Sequence, residues 1–309
     1  MKQLLFAFVC ISLITACNTK YEKTASGLAY KIIKGKGAKI EQGQIIKFNG
    51  VITVGTKDSV LNSTYGSLPV YQFVDTTYRR SHDYSEVLKY CSVGDSVIAI
   101  AEVDSLVKWG MMQYNGIFKR NDKITTKIKI IAAFKDQQAQ MADYQKEIDD
   151  YTARDSKAVE DYLKKNKITA VKTKNGAYVE IINAGEGMKA DSGTIASVLY
   201  TGYLLKNNKP IDSNTDSTFG HLGAYSVAVG KHAVIKGWDE ALPYFSKGGK
   251  GKVYVPSMLA YGPQGSPPNI GPYEHLYFNI EVVDVTKAVA PPVPTSPPPP
   301  PPPAPNKKK

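Results

Sequence analysis

The chain has 309 residues, which at about 150 residues per domain suggests two domains. Hydrophobic residues make up 42% and charged residues 22%, so the chain can build packed cores and is neither globally disordered nor a polytopic membrane protein. The net charge of +11 is spread along the chain without an arginine-rich block. This distribution argues against a dedicated nucleic-acid-binding protein and favours a solvated basic surface.

The first 17 residues have the layout of a secretory signal peptide. Lys2 precedes an apolar run from Leu4 to Ile14, too short to span a bilayer core of about 30 Å. The Ile-Thr-Ala-Cys sequence ending at Cys17 resembles a bacterial lipobox, in which the cysteine becomes the lipidated N-terminus. We therefore expect an exported protein, lipid-anchored to the bacterial cell envelope on its periplasmic or outer-membrane face. An ordinary signal peptide with a chance cysteine is the alternative. After cleavage Cys91 would be the only free thiol, so no intramolecular disulfide is expected.

Two segments, residues 18–135 and 169–288, share short patterns in the same order. A Thr-x-x-Gly element occurs near the start of each, at Thr24 and at Thr173. A second, ungapped match aligns the segment from Val87 to Gly94 with the segment from Ala241 to Gly248. A spacing of about 150 residues is too long for a solenoid repeat, so we expect two copies of one fold.

The remaining segments differ in composition. Residues 136–168 contain neither Pro nor Gly and carry apolar residues at helical spacing, which predicts a helical connector, interrupted near Asp155. Its apolar stripe is expected to pack on one of the domains or on another copy of the chain. Residues 289–309 are mostly proline and end in three lysines, which predicts a disordered polyproline tail. An inert spacer is the simplest role for that tail, and docking of a partner is the alternative.

The second copy is rich in β-structure, with one short helix. Apolar residues alternate with polar ones after His275, which predicts a half-buried strand, and the strand from Lys252 to Val255 is stopped by Pro256. One helix face is formed by four residues at i, i+3, i+4 and i+7: Trp238, Ala241, Leu242 and Phe245. Pro243 limits that helix to a turn or two.

Common catalytic motifs are absent from the sequence. The four histidines form no HExxH motif and the cysteines no paired CxxC, so no metal and no cofactor is expected. The glycine-rich stretch from Lys247 to Gly251 lacks the spacing that cradles phosphate and predicts a hairpin turn between strands. No Gly-x-Ser-x-Gly nucleophile elbow occurs either.

Five short elements of the second copy resemble the FKBP-type peptidyl-prolyl cis-trans isomerases in their order and spacing. The resemblance covers about 115 residues, the length of one domain. These elements are Val198–Gly202, Ile211–Ser213, Val234–Glu240, Ala260–Gly262 and Leu276–Phe278. The resemblance implies an α+β protein with two FKBP-like domains, each a curved antiparallel β-sheet wrapped on a short helix, joined by the helical connector.

The resemblance also implies the site and the activity, which is non-covalent catalysis of prolyl isomerisation in an apolar pocket. Trp238 would form the floor under the proline ring, and Asp212 would lie beside the reacting amide. The hydroxyl of Tyr261 and the backbone N–H of Ile235 would hold substrate carbonyls. The substrate-binding residues would be Tyr200, Ile211, Tyr225, Val234, Ile235, Ile270 and Phe278. Taken one at a time, most of these residues are typical of an ordinary core or turn.

Several positions depart from the family pattern. Ile211 stands where phenylalanine is usual, Tyr225 replaces another phenylalanine, and Asn269 replaces an aliphatic residue. The loop between Asp212 and Tyr225 is also longer than in the smallest members. We expect altered peptide preference or lower efficiency rather than loss of activity.

The first copy lacks most of the site. The internal match places Asn62 at the Asp212 position, Tyr84 at the Trp238 position, Trp109 at the Tyr261 position and Thr126 at the Phe278 position. We expect this domain to bind, dimerise or space without catalysing.

The leading hypothesis is therefore an isomerase that assists the folding of exported proteins, with proline-containing polypeptides as partners. The alternatives are a non-catalytic peptide-binding chaperone or envelope assembly lipoprotein, and a purely structural protein. A membrane surface is a further expected partner through the lipid anchor. Self-association through the first domain or the connector helix is possible, and no nucleic-acid partner is expected.

Overall fold

The computed structural model describes residues 20–75 and 82–288. The expected lipobox with Cys17 and the proline-rich tail lie outside these residues. The chain divides into two compact units, unit 1 up to Tyr151 and unit 2 from Thr152. That division falls within the helix predicted as the connector, and each unit is described separately below.

Unit 1 is a seven-stranded antiparallel sheet with short helices. In chain order its elements are β1 (Glu22–Lys23), β2 (Ala29–Ile33), β3 (Ile45–Val54), β4 (Ser59–Ser63), β5 (Val70–Phe73), a 3-10 helix (Tyr84–Tyr90), β6 (Ser96–Glu102), α1 (Val103–Lys108) and β7 (Lys123–Phe134). The strand order is β1-β2-β6-β7-β3-β4, with β5 also paired to β3.

Unit 2 repeats this plan. Its elements are β8 (Val171–Lys172), β9 (Tyr178–Asn183), β10 (Glu186–Lys189), β11 (Thr194–Leu204), β12 (Pro210–Ser213), a 3-10 helix (Ser217–Phe219), β13 (Tyr225–Ala228), α3 (Lys236–Ala241), a 3-10 helix (Leu242–Tyr244), β14 (Ser246–Lys247), β15 (Gly249–Val255), 3-10 helices (Ser257–Leu259 and Gly262–Gln264) and β16 (Leu276–Lys287). The main sheet has the order β12-β11-β16-β15-β9-β8, with β13 also paired to β11.

The two sheets have the same strand order, element for element. β8 and β9 correspond to β1 and β2, β15 and β16 to β6 and β7, and β11, β12 and β13 to β3, β4 and β5. The sequence match between the two segments therefore reflects a duplicated fold. The predicted α+β class with two antiparallel sheets, each packed on a short helix, is confirmed.

The helix α2 (Gln137–Lys165) joins the two sheets in sequence. It runs without a break through Asp155, so the expected interruption there was wrong. Asp155 is polar but buried, because its carboxylate accepts hydrogen bonds from Ser257 Oγ at 3.0 Å and from the backbone N–H of Met258 at 2.8 Å. The sequence predicted an interruption here, whereas the helix is continuous and tertiary contacts hold the Asp155 side chain.

Each half of α2 packs on the unit to which it belongs. In unit 1 the buried Lys47 donates to Asp143 and Glu147 of the helix, both at 2.7 Å. In unit 2 Val159 and Leu163 are buried in a small apolar cluster. The apolar stripe predicted for this segment thus has partners within the chain. No helix among the described residues is long and apolar enough to cross a membrane.

The core of unit 2 confirms the predicted periodicity. Along β16 the side chains of Leu276, Phe278, Ile280 and Val282 are buried, whereas Asn279 between them is exposed. β15 ends at Pro256, and α3 is followed by a short 3-10 helix that contains Pro243. Gly248 makes the expected turn, with φ of 80°, but β14 pairs with β10 and not with β15. The prediction of a simple hairpin at this glycine-rich stretch was therefore wrong.

Candidate functional site

Three aromatic rings of unit 2 meet where α3 packs on the sheet. Trp238 comes from α3, Tyr200 from β11 and Phe278 from β16. Both partner rings meet the indole edge to face, Tyr200 with a centroid distance of 5.1 Å and Phe278 with one of 5.3 Å. This T-shaped arrangement is favourable for aromatic pairs because the positive ring edge meets the negative ring face. It orients the three rings relative to one another.

The indole of Trp238 is 5% exposed, and its Nε1–H has no hydrogen-bond acceptor. Among the described residues it is the one buried side-chain nitrogen or oxygen without a partner. Leaving a buried donor unsatisfied costs about 1–3 kcal/mol. The site therefore holds an unused donor in an apolar, aromatic setting.

A carboxylate lies at the edge of these rings. Tyr200 donates its hydroxyl to Asp212 Oδ2 at 2.6 Å, and the backbone N–H of Ser213 donates to Asp212 Oδ1 at 3.0 Å. Burial, together with the hydrogen bond to Asp212 and its charge, raises the pKa of Tyr200. Burial and the same carboxylate also raise the pKa of Tyr261. Both phenols consequently stay protonated and act as donors at neutral pH.

The structure brings most of the predicted pocket residues together. Ile211 and Ile270 are buried in the same cluster as Trp238 and Phe278, and Val234 and Ile235 pack against it. Two predicted residues are more open: Tyr261 is 40% exposed and Tyr225 is 48% exposed. These two tyrosines are therefore the solvent-facing members of the set.

Ile235 immediately precedes α3 with an extended backbone. Its backbone N–H finds no hydrogen-bond acceptor within the described part of the chain. The resemblance to the FKBP-type family implies that this N–H holds a substrate carbonyl, and the unused donor is compatible with that expectation.

Sequence reasoning missed Gly202, which makes room for the aromatic cluster. A Cβ atom added at Gly202 would lie 2.6 Å from the ring of Phe278 and 3.3 Å from Ile211. In the sequence, Gly202 is only the last residue of the short element Val198–Gly202. Its role depends on the strand register, in which Gly202 is opposite both Asp212 and Phe278.

Two side chains beyond Asp212 were also missed. Asn214 is buried and clamps β11, since it accepts from the backbone N–H of Tyr200 at 2.7 Å and donates to the carbonyl of Val198 at 2.9 Å. His221 places Nε2 at 3.3 Å from Asp212 Oδ1. The longer loop between Asp212 and Tyr225 is the one signal that could have drawn attention to His221.

Unit 1 has the same register with different side chains. Ile52 of β3 is opposite both Asn62 and Thr126, as Gly202 is opposite Asp212 and Phe278 in unit 2. The predicted correspondence of these positions is therefore supported by strand pairing. A branched side chain stands where unit 2 has none, and a small threonine stands where unit 2 has an aromatic ring.

The other two counterpart positions in unit 1 also differ in their contacts. Tyr84 meets Phe48 edge to face at 5.5 Å, and Trp109 packs edge-on against His82 at 4.5 Å. Ala99, Ala101 and Thr126 line a cavity of about 250 Å³ near this place. Unit 1 thus keeps the fold but not the three-ring arrangement around a carboxylate.

Metal ligands and reactive thiols are not part of either site. Within residues 20–75 and 82–288, no group of three or more His, Cys, Asp or Glu side chains could hold a metal ion. Cys91 is free and buried in the core of unit 1, and burial raises its pKa to about 12.

Comparison with known proteins gives a family match within unit 2 and several similar relatives. The family model described as FKBP-type peptidyl-prolyl cis-trans isomerase matches residues 186–283, a range that includes every predicted pocket residue. The chain is similar to an FK506-binding protein of Neisseria meningitidis, with 34% identity over 36% of this chain and 96% of the relative. It is also similar to the peptidyl-prolyl cis-trans isomerase FPR2 of Saccharomyces cerevisiae, with 41% identity over 33% of this chain and 72% of the relative.

Other matches are more partial. The crystal structure of FkpA from Escherichia coli is 28% identical, covers 49% of this chain and 70% of its own, and has a TM-score of 0.38. The chain spans only 26 to 29% of the length of several longer curated relatives. The relatives from Neisseria meningitidis and Saccharomyces cerevisiae are matched over most of their own length, and they agree with the family model. This chain therefore belongs to the FKBP-type peptidyl-prolyl cis-trans isomerase family.

Proposed function

We propose that unit 2 catalyses cis-trans isomerisation of X–Pro bonds in exported polypeptides and so assists their folding. One observation carries this proposal: Trp238 makes edge-to-face contacts with both Tyr200 and Phe278, and the hydroxyl of Tyr200 donates to Asp212 at the rim of the same cluster. Family membership gives independent support for the reaction class.

The chemistry suits an apolar site. Rotation about a peptide bond has a barrier of about 18–20 kcal/mol because amide resonance is lost in the twisted geometry. The twisted amide is less zwitterionic than the planar one, so an apolar pocket favours it over the ground state. Each 1.4 kcal/mol or so of that preference increases the rate about tenfold. This mechanism needs neither a nucleophile nor a metal.

The resemblance to the family supplies the residue roles of this proposal, and the positions of the side chains are compatible with them. The proline ring lies on Trp238, and the phenol of Tyr261 and the backbone N–H of Ile235 donate to carbonyls that flank the bond. Asp212, held by Tyr200, lies beside the twisting amide. Because binding alone does not accelerate a reaction, these donors must favour the twisted amide over the planar one.

The test is NMR exchange spectroscopy on a short Leu-Pro or Phe-Pro peptide with the full chain. We expect exchange well above that of the peptide alone. The variants Asp212→Ala and Tyr261→Phe should each slow catalysed exchange about tenfold or more, with a smaller effect on peptide affinity. Tyr203→Phe is the matched control, because Tyr203 also lies in unit 2 but stacks on Tyr277 outside the three-ring cluster.

Two results would contradict isomerase activity. If the peptide causes chemical-shift changes but exchange is not accelerated, unit 2 is a binding module. Ile211, which stands where the family usually has phenylalanine, would favour that function. No shift change and no exchange would leave a structural protein.

We further propose that the protein is a lipoprotein of the bacterial envelope. The proposal is based on Lys2, the apolar run and Cys17, which lie outside the described residues. Several acyl chains on one cysteine would anchor the chain firmly, whereas a single chain anchors only marginally. Cys17→Ser should move the protein from the membrane fraction to the soluble fraction and abolish labelling by a radioactive fatty acid. Unchanged fractionation and labelling would rule the anchor out.

A further inference from the structure

His221 lies beside the carboxylate of the proposed site. It follows the 3-10 helix Ser217–Phe219, in the loop that is longer than in the smallest members of the family. Its Nε2 is 3.3 Å from Asp212 Oδ1 and 3.5 Å from the hydroxyl of Tyr200, and its Nδ1 is 3.1 Å from the carbonyl oxygen of Phe219. The side chains of His221 and Asp212 are 50% and 43% exposed, so both are in contact with solvent.

A neutral His221 imidazole has too few N–H donors for the oxygen acceptors around it. A neutral imidazole has one N–H and one lone pair. Here both ring nitrogens face oxygen acceptors, the Phe219 carbonyl on one side and the Asp212 carboxylate on the other. The single hydroxyl proton of Tyr200 is already donated to Asp212 at 2.6 Å. The doubly protonated imidazolium, which has two N–H donors, satisfies both acceptors at once.

Docking of a peptide makes this contact more important. Asp212 accepts from Tyr200 and from the backbone N–H of Ser213, and its remaining acceptor sites face solvent or His221. A peptide beside Asp212 removes water from the carboxylate, and burying a charge without a replacement donor is unfavourable. The Nε2–H of the imidazolium supplies that donor and an opposite charge.

We propose that His221 is a positioning residue of this site: once protonated, it pairs with Asp212 and strengthens the binding of proline-containing peptides. The inference rests on the proposed function of unit 2. It goes further by making peptide affinity depend on the protonation of a residue outside the predicted pocket. The other titratable groups near this pair are the phenols of Tyr200 and Tyr261, which stay protonated, and the phenol of Tyr225, which interacts electrostatically with Tyr200.

The sign of the pH effect follows from linkage. Peptide binds more tightly to the protonated form, so the dissociation constant falls as pH decreases through the histidine range. An exposed ion pair of this kind corresponds to an effect of about two- to fivefold.

The experiment measures the dissociation constant of a blocked, uncharged Leu-Pro peptide for the full chain at about pH 5.5 and about pH 8, on either side of the range in which histidine changes charge. Cis-trans exchange is recorded in the same samples. The expected result is binding about two- to fivefold tighter at the lower pH. His221→Gln and His221→Ala should both abolish the difference, and the glutamine variant should retain more affinity because its amide can still donate to Asp212.

His232→Gln is the matched control. His232 is also an exposed histidine of unit 2 next to a carboxylate, with Nδ1 at 3.4 Å from Asp239 Oδ2. This variant should keep the pH dependence of the unmodified chain. Equal affinity at both pH values, or a pH dependence that survives in His221→Gln, would overturn the inference while leaving the isomerase intact. Failure to bind or isomerise the peptide at either pH would overturn the proposed function and this inference together.

Discussion

At the scale of single residues, the difference between the two units comes down to a few side chains around one position. Gly202 leaves space for the ring of Phe278 in unit 2, whereas Ile52 occupies the equivalent strand position in unit 1 opposite a threonine. Space for the aromatic cluster therefore depends on a missing side chain. Protein cores are packed as densely as organic crystals, so adding even a single methyl group displaces the neighbouring side chains.

Gly202→Ala tests this requirement. The new methyl group would meet the ring of Phe278 at 2.6 Å, and overpacking of this kind costs about 1–3 kcal/mol. We expect the free energy of unfolding of unit 2 to decrease by that amount and catalysed exchange to slow. The measurement is urea unfolding followed by the fluorescence of Trp238 in a Trp109→Phe background, since the chain has two tryptophans.

Gly116→Ala is the comparison variant for this substitution. Gly116 has no atom within 4 Å of its added Cβ and no positive φ, so the stability should change by less than about 0.5 kcal/mol. An equally small effect of Gly202→Ala would mean that Phe278 can move aside, and the packing argument would fail.

At the scale of elements, α2 takes part in the core of unit 2 and also holds a turn next to the site. Asp155, in the middle of the helix, accepts hydrogen bonds from Ser257 and Met258 in the 3-10 helix Ser257–Leu259. Tyr261 follows two residues after that helix. The helix thereby positions the segment that carries one of the proposed donors.

Asp155→Ala should lower the free energy of unfolding of unit 2 by about 1–3 kcal/mol, because it leaves the buried Ser257 hydroxyl and the partly buried Met258 N–H without an acceptor. Asp161→Ala is the matched control on the same helix, since Asp161 is exposed and pairs with Lys157. Its effect should stay within about 0.5 kcal/mol, as is usual for an exposed i,i+4 pair. Equal effects of the two variants would show that the contact with Asp155 does not stabilise the turn.

At the scale of the whole molecule, one fold occurs twice, and unit 2 has the three-ring cluster beside a carboxylate. The strand orders of the two sheets are the same, and the positions opposite Ile52 and Gly202 correspond in register. In unit 1, Ala99, Ala101 and Thr126 are among the residues that line a cavity of about 250 Å³, whereas Trp238 and Phe278 of unit 2 lie in one buried cluster. We therefore expect unit 1 to contribute no turnover. The exchange measurements on Asp212→Ala and Tyr261→Phe in the full chain also check this expectation, because any catalysis by unit 1 would persist in both variants.

Much of this architecture was predictable from local sequence patterns. Alternating apolar residues in β16, Pro256 after β15, and the one-faced spacing of Trp238, Ala241 and Leu242 each predicted the observed element. The duplicated motifs also predicted that the two units share a fold. Such patterns are readable because backbone geometry links side-chain periodicity to secondary structure within a few residues.

The sequence by itself thus determined the class of fold, its duplication and the family, and it predicted a set of pocket residues of which most lie in one cluster. The tertiary structure alone decided that Gly202 makes room for Phe278, that Asp155 ties a continuous helix to a turn, and that His221 faces Asp212. The physical reason is that these contacts join residues 76, 103 and 9 positions apart in sequence. Whether such residues meet depends on strand register, helix packing and the path of a loop, and no local pattern encodes these.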